Sequence, residues 1–220
     1  MLKAVIFDVD GTLLDTERIY MQAWKEAAAE LGYEITDALL RKTRAINVKD
    51  AAKIFESEIG NGFSYDKTRA VRVRIAEEII ERESPILKPG VLELLSFLRE
   101  KGIRLSVASS THLKGTKEHL AESRILDRFE VVVGGDMVTK GKPNPDIFLK
   151  AAELLALTPQ ECIVVEDSPA GIRAAVSAGM KAVLVPDQAA ITQEIIELSD
   201  AVLTSLCEMP AYVEELRKQL

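Results

Sequence analysis

The sequence predicts an α/β fold: a doubly wound, Rossmann-like parallel sheet, with a small α-helical cap domain inserted after the first strand. Two observations predict the sheet. Short runs rich in β-branched residues recur along the chain, and segments with helical character lie between them. A third observation, a long stretch without a convincing strand, predicts the helical insert.

Six short apolar runs predict the strands. They are continuously apolar instead of alternating, which is typical of strands buried on both faces and therefore of a parallel sheet covered by helices. The runs are AVIF (4–7), IRLSVAS (103–109), EVVVGG (130–135), CIVVE (162–166), KAVLVP (181–186) and the weaker AVLTSL (201–206).

Four segments between these runs predict helices, and the alternation of strand and helix indicates a doubly wound fold. The last segment has the clearest ends, because Ser168 is placed as its N-cap, Pro169 occupies the first helical position and Gly179 follows its end. The segments are VLELLSFLREKG (91–102), HLKGTKEHLAES (112–123), NPDIFLKAAELLA (144–156) and SPAGIRAAVSAGM (168–180).

Four amphipathic segments that follow the first strand interrupt the alternation. They predict a helical cap domain over residues 15–87, so that residues 1–14 and 88–220 form the α/β core. The segments are TERIYMQAWKEAAAELG (16–32), TDALLRKTRA (36–45), VKDAAKIFESEIG (48–60) and YDKTRAVRVRIAEEIIERE (65–83).

Composition narrows the class of protein. The 220 residues are 47% hydrophobic and carry a formal net charge of −7, which disfavours binding to nucleic acid. The two cysteines form no CxxC or Cys/His cluster, so a structural zinc site is not expected. No signal peptide and no apolar run of membrane-spanning length stands out. We expect a cytoplasmic protein that does not bind a membrane, with a monomer as the default.

Polar side chains follow the predicted strands at the edge where doubly wound folds bind their ligands. Asp8 and Asp10 follow the first strand, and Ser109, Ser110 and Thr111 follow the second. Two further sets, Glu166 with Asp167 and the lysines of KGKPNPD, come from segments far along the chain. Their convergence predicts a functional site at this edge.

The residue types at this edge suit phosphoryl transfer. Asp8, Asp10 and Asp167 offer hard oxygen ligands for Mg²⁺, and the ion would offset the repulsion between carboxylates. Ser109 and Lys142 can bind a phosphate group. One aspartate can then act as the nucleophile, and a second, two residues on, can protonate the leaving oxygen and later activate water.

Four motifs resemble those of the haloacid dehalogenase superfamily of phosphotransferases. They are IFDVDGTLLD (6–15), SVASS (106–110), KGKPNPD (140–146) and VVEDSPAGI (164–172), and the helical insert after the first motif resembles that family's cap. The resemblance covers essentially the whole chain. Within the superfamily the sequence is most similar to the branch of β-phosphoglucomutases and phosphoglycolate phosphatases.

The resemblance implies a role for each matching residue. Asp8 is the nucleophile and a metal ligand, and Asp10 is the general acid/base, with its backbone carbonyl on the metal. Ser109 and Lys142 hold the transferring phosphate. The metal set is completed by Asp167, a ligand of Mg²⁺, and by Glu166, which orients or helps to ligate the ion.

The remaining predicted substrate contacts are weaker. Gly11, Thr12 and Ser110 belong to the loops beside the catalytic residues, and Arg72 falls where related sequences place a cap cation near the substrate. Tyr20 and Trp24 lie four residues apart on the first cap helix, a spacing that is also typical of simple packing.

The sequence departs from the mutases at two places. Tyr20 stands where β-phosphoglucomutases carry a histidine, and Arg44 lies a few positions early in a cap loop that has no glycine. These departures favour hydrolysis over transfer to a sugar.

We therefore predict a Mg²⁺-dependent phosphatase that hydrolyses a small phosphomonoester, such as a sugar phosphate or related metabolite, through an aspartyl-phosphate. A hexose-phosphate mutase of the β-phosphoglucomutase type is the main alternative. Asp10 argues against a haloalkanoate dehalogenase, and the cap insert argues against a non-catalytic, receiver-type phospho-acceptor.

Overall fold

The chain forms two compact units. The computed structural model describes residues 2–43, 48–60, 62–83, 86–187 and 190–218. The α/β unit contains the chain up to Leu14 and again from Ile86, whereas the helical unit begins at Asp15 and extends to residue 85.

A parallel sheet of six strands forms the α/β unit, in the order β3-β2-β1-β4-β5-β6. β1 lies in the middle and pairs with β2 on one side and β4 on the other. The first motif and the fourth motif are therefore on neighbouring strands. The strands are β1 (Ala4–Phe7), β2 (Arg104–Ala108), β3 (Val131–Val133), β4 (Cys162–Glu166), β5 (Lys181–Leu184) and β6 (Ala201–Val202).

Helices cover both faces of the sheet. Successive residues of a strand point to opposite faces, and accordingly Val5 and Phe7 belong to one apolar cluster while Ala4 and Ile6 belong to another. The first cluster includes residues of α5, α6 and α10, and the second includes residues of α7, α8 and α9. These helices are α5 (Val91–Glu100), α6 (Leu113–Glu122), α7 (Asp146–Leu154), α8 (Pro169–Ser177), α9 (Gln193–Leu198) and α10 (Met209–Lys218).

Burial on both faces explains why the strand runs are continuously apolar, and the predicted α/β class with a parallel sheet is confirmed. The predicted start of α8 is also confirmed. The Ser168 hydroxyl accepts a hydrogen bond from the Gly171 N–H at 3.1 Å, and Pro169 is the first helical residue. Gly179 follows the helix with a φ of +72°, a conformation that favours glycine.

The sixth strand is shorter than predicted. The sequence indicates 201–206, but only Ala201 and Val202 pair with β5. Beyond them, the Thr204 hydroxyl and N–H donate to Glu208, and the Cys207 N–H donates to the Ser205 hydroxyl. These local bonds turn the backbone toward α10. The helix α10 was not predicted from the sequence.

In the part of the helical unit that the structure describes, all regular secondary structure is helical. α1 and α4 pack together through small and branched side chains, including Ala23, Ala27 and Ile79. A second cluster is aromatic: Trp24 stacks on Phe55, with ring centroids 4.9 Å apart. The helices are α1 (Glu17–Glu30), α2 (Asp37–Thr43), α3 (Val48–Ile59) and α4 (Tyr65–Glu83).

Among the described residues, no helix combines the length and the apolar character that crossing a membrane requires.

Ala156, which directly follows the end of α7 and its cap, provides a test of local backbone strain. It is exposed and has a φ of +52°, where a Cβ costs about 1 kcal/mol. We expect Ala156→Gly to raise the free energy of unfolding by up to ~1 kcal/mol. Ala121→Gly, at an exposed position of α6, should instead lower it by up to ~1 kcal/mol. Chemical denaturation of both variants checks the opposite signs, and destabilisation by both would contradict the strain.

Candidate active site

Asp8 and Asp10 lie in a tight turn at the carboxyl end of β1. The Asp8 N–H donates to the Val165 carbonyl at 3.0 Å, so Asp8 extends the pairing with β4. The Val9 carbonyl then accepts hydrogen bonds from Leu13 and Leu14, which closes the turn. Gly11 has a φ of +91° within it. The turn leaves Asp8 94% buried and Asp10 partly exposed.

Lys142 lies at the centre of the site, with its side chain only 6% exposed. Its ammonium contacts the Asp8 carboxylate and donates to Glu166 Oε1 at 2.7 Å. It also donates to the Ala108 carbonyl at 3.3 Å and lies 4.9 Å from the centre of the Phe148 ring. The lysine thus joins the ends of β1, β2 and β4.

Both oxygens of Glu166 have partners within the protein. Oε1 accepts from Lys142, and Oε2 accepts from the Ser168 N–H at 2.6 Å and the Ser168 hydroxyl at 2.8 Å. Gly171 makes room for this carboxylate, because a Cβ there would lie 1.7 Å from Oε1. Glu166 is therefore fixed on Lys142 by its surroundings.

Three carboxylates could hold a metal ion. In the described part of the chain, one oxygen each of Asp8, Glu166 and Asp167 lie within 4.8 Å of one another. Thr12 donates to Asp167 at 3.4 Å, and a Cβ on Gly11 would lie 2.5 Å from Asp167 Oδ2. Three of the four predicted metal ligands, Asp8, Glu166 and Asp167, are thus brought together, and the missing side chain of Gly11 leaves space for Asp167.

The acidic groups carry more charge than Lys142 can balance. Burial, with the charges of Glu166 and Asp10 adding to it, raises the pKa of Asp8 to about 7 although Lys142 opposes the shift. Burial and the charges of Glu166 and Asp8 likewise raise the pKa of Asp167. Burial lowers the pKa of Lys142, but Asp8 and Glu166 outweigh it, so the pKa lies above its ordinary value and the lysine stays charged. A divalent cation would offset such an excess of buried carboxylate charge.

The Asp10 side chain is hydrogen-bonded to the polar segment that follows β2. Its Oδ2 accepts hydrogen bonds from Thr111 Oγ1 at 3.0 Å and from Ser109 Oγ at 3.3 Å. The Ser109 hydroxyl is buried and also accepts from the Thr111 N–H at 3.0 Å. Ser110, between them, is exposed. The structure thus brings Asp10 and Ser109 together, as the sequence analysis predicts for the strand ends.

The predicted cap residues meet within the helical unit. The Arg72 guanidinium lies 4.4 Å from the centre of the Tyr20 ring and 5.8 Å from that of Trp24. All three line a cavity of about 130 Å³. Trp24 also stacks in the aromatic cluster, so packing accounts for much of its environment. Arg44 lies outside the described residues.

Two contacts of the site were missed from the sequence. Ser168 was predicted only as a helix cap, yet it also fixes Glu166. Thr111 was noted at a strand end without a role, yet it binds Asp10. The capping position next to the acidic pair was the available signal for Ser168, because a cap residue that close can reach the preceding carboxylate.

The fold agrees with comparisons to known proteins. The family model for haloacid dehalogenase-like hydrolases matches residues 5–185, and the chain belongs to that family. The predicted enzyme class is thereby confirmed, with phosphatases and a mutase among the relatives.

Two curated relatives and one solved structure illustrate the similarity. The phosphorylated carbohydrates phosphatase of Thermotoga maritima is 36% identical, over 82% of this chain and 83% of the relative. The β-phosphoglucomutase of Bacillus subtilis is 32% identical, over 83% and 82% respectively. CbbY from Rhodobacter sphaeroides, solved in complex with xylulose-(1,5)bisphosphate, has 27% identity and a TM-score of 0.79, covering 94% of this chain and 96% of that one.

Gly171 tests whether the space for Glu166 is required. We expect Gly171→Ala to displace the carboxylate from Lys142 and to lower the free energy of unfolding by about 3 kcal/mol. Gly141→Ala is the matched control, because a Cβ there meets nothing within 4 Å although it adjoins Lys142. Thermal unfolding compares them, and equal melting temperatures would show that Glu166 tolerates the added methyl group.

Proposed function

We propose that this protein is a Mg²⁺-dependent phosphatase that hydrolyses a small phosphomonoester, a sugar phosphate or related metabolite, through an aspartyl-phosphate on Asp8. The observation that carries the proposal is the buried Lys142, which contacts Asp8 and Glu166 at the carboxyl edge of the sheet. An ammonium in contact with a carboxylate, beside a further acidic residue, suits the binding of a phosphate to a nucleophile. The phosphatase named above as a relative supports the same chemistry.

In the first step, an oxygen of Asp8 attacks phosphorus. A bond forms between that oxygen and phosphorus, and the bond to the leaving oxygen of the substrate breaks. Asp10 donates its proton to this leaving oxygen, which departs as an alcohol. Lys142 and the Ser109 hydroxyl hold the transferring group, and the exposed Ser110 adjoins them, while Gly11 and Thr12 shape the turn.

In the second step, water attacks the phosphorus of the aspartyl-phosphate. Asp10, now ionised, accepts a proton from the water, the bond between phosphorus and Asp8 breaks, and inorganic phosphate leaves. Asp8 returns to its carboxylate form. The hydrogen bond from Thr111 fixes Asp10, which acts in both steps, whereas the Ser109 hydroxyl would exchange its bond to Asp10 for one to the bound phosphate.

The residues at the site fit Mg²⁺, a hard cation that prefers oxygen ligands. Asp8 and Asp167 would hold it, with the Asp10 backbone carbonyl as the resemblance implies. Glu166 is hydrogen-bonded to Lys142 and Ser168, so it would orient the ion and would not be its first ligand. When bound, the ion would offset the carboxylate charge and that of the incoming phosphate.

We infer that the helical unit is the cap that selects the substrate. Its cavity combines a cation, Arg72, with the aromatic faces of Tyr20 and Trp24. A cation and aromatic rings suit a sugar that carries polar or anionic groups. Tyr20, Trp24 and Arg72 would therefore be the residues of the cap on which the choice of substrate depends.

Phosphate release from a panel of sugar phosphates, phosphoglycolate, nucleotides and p-nitrophenyl phosphate tests the function. We expect release that requires Mg²⁺ and is lost with EDTA. Asp8→Asn removes the nucleophile, so it should lower kcat by at least ~10³-fold while the protein remains folded. Phosphate release by Asp8→Asn at the wild-type rate would refute the mechanism.

The two lysines of KGKPNPD provide a matched comparison. Lys142 is buried on Asp8, whereas Lys140, two residues earlier, is exposed. Lys142→Met should reduce kcat/KM by at least ~10²-fold, because a buried charge that binds the phosphate is lost. Lys140→Met should leave it nearly unchanged. The same kinetic assay decides, and equal effects of both variants would contradict the assignment.

A β-phosphoglucomutase remains the second candidate, because such an enzyme is 32% identical to this chain. Tyr20 lies against Arg72 where the mutases carry a histidine. We expect the wild-type protein to release phosphate, and Tyr20→His to stay within ~10-fold of that rate if Tyr20 only lines the cavity. Conversion of β-glucose 1-phosphate to glucose 6-phosphate with a bisphosphate primer, without phosphate release, would favour the mutase.

A further inference from the structure

A second ion pair lies near the site, between Lys88 and Asp187. Asp187 follows the end of β5, and its Oδ1 accepts a hydrogen bond from Lys88 Nζ at 2.6 Å. Their side chains are only 22% and 9% exposed, whereas most ion pairs of the described chain lie at the surface. Asp187 Oδ2 is buried and finds no hydrogen-bond partner among the described residues. A buried carboxylate of this kind is costly, and the reaction steps above do not use it.

The backbone of Lys88 is tied to the segment that carries the catalytic turn. Lys88 is in the stretch where the chain re-enters the α/β unit, and its N–H donates to the Leu13 carbonyl at 2.9 Å. Next to it, Leu87 forms an antiparallel bridge with Leu14. The outgoing and returning segments of the α/β unit are thus paired with each other.

That pairing continues into the turn of Asp10. The N–H groups of Leu13 and Leu14 donate to the Val9 carbonyl at 3.0 and 2.9 Å, and the Gly11 N–H donates to the Leu14 carbonyl at 2.9 Å. Asp10 itself forms a bridge with Leu14. A continuous set of hydrogen bonds therefore leads from Lys88, through Leu13 and Leu14, to Asp10.

We propose that Lys88 and Asp187 are positioning residues for Asp10. Asp187 anchors the Lys88 side chain to the end of β5, and Lys88 in turn fixes the segment that supports the turn of Asp10. This inference rests on the proposed function, because it assigns Asp10 the transfer of a proton to the leaving oxygen. General acids lose efficiency when they are misplaced, even by about 1 Å.

The test compares two substrates that differ in their need for a general acid. A sugar phosphate has a basic leaving oxygen that must be protonated, whereas p-nitrophenol leaves readily without a proton. Lys88→Met should reduce kcat/KM for the sugar phosphate about tenfold more than for p-nitrophenyl phosphate. Lys88→Arg, which keeps the charge, should restore most of the loss.

Two further variants separate positioning from folding. Lys88→Met combined with Asp187→Asn leaves no unpaired charge, so it should fold and still show the selective loss on the sugar phosphate. Lys181→Met is the matched control. Lys181 lies at the amino end of β5, the strand that Asp187 follows, and forms an ion pair with Asp200 at 2.9 Å. This variant should leave the ratio of the two kcat/KM values unchanged. Equal losses on both substrates in the double variant would overturn the proposal.

Hydrogen–deuterium exchange gives a readout that is independent of activity. In the double variant, the amides of Gly11, Leu13, Leu14 and Lys88 should exchange faster than in Lys181→Met and in the wild type. Unchanged exchange would also overturn the proposal. If the wild type releases no phosphate, the proposed function fails, but the exchange data still decide whether this pair supports the turn.

Discussion

The contact between the Lys142 ammonium and the carboxylates of Asp8 and Glu166 is the interaction on which the site depends. All three side chains are at least nine-tenths buried, so none can keep its charge without the others. Their attraction joins a loop near residue 142 to the ends of β1 and β4. Negative charge is still in excess over the one ammonium, because Asp167 lies beside the same two carboxylates. Carboxylates with this excess of negative charge could hold a metal ion.

The order of the sheet strands makes this contact possible. β1 is central and lies between β2 and β4, so the turn of Asp8 and Asp10 adjoins both Ser109 and Asp167. Glycines then decide how closely the loops approach. Gly171 leaves space for Glu166 and Gly11 for Asp167, and at each position a Cβ would overlap a carboxylate. Backbone spacing and charge balance therefore act together at this site.

Much of the fold and of the site could be predicted from the sequence. The apolar runs identified the strands because both faces of a parallel sheet are buried, and the polar residues after each run marked the edge where Asp8, Lys142 and Glu166 meet. Other features depend on tertiary contacts. The Lys88–Asp187 pair joins residues far apart in sequence, and no local pattern connects them. The early end of β6 likewise follows from hydrogen bonds of Thr204 and Ser205. Residue propensities for strand do not specify the geometry of such bonds.

Trapping the phosphorylated enzyme tests most directly whether Asp8 is the nucleophile. Wild-type protein mixed with a substrate and Mg²⁺ would be quenched in acid during turnover, digested, and its peptides weighed by mass spectrometry. We expect the peptide that contains Asp8 to gain the mass of one phosphoryl group, and we expect fragmentation to assign the group to this aspartate. Phosphate release without any modified Asp8, or with the phosphoryl group on another residue, would show that Asp8 is not the nucleophile.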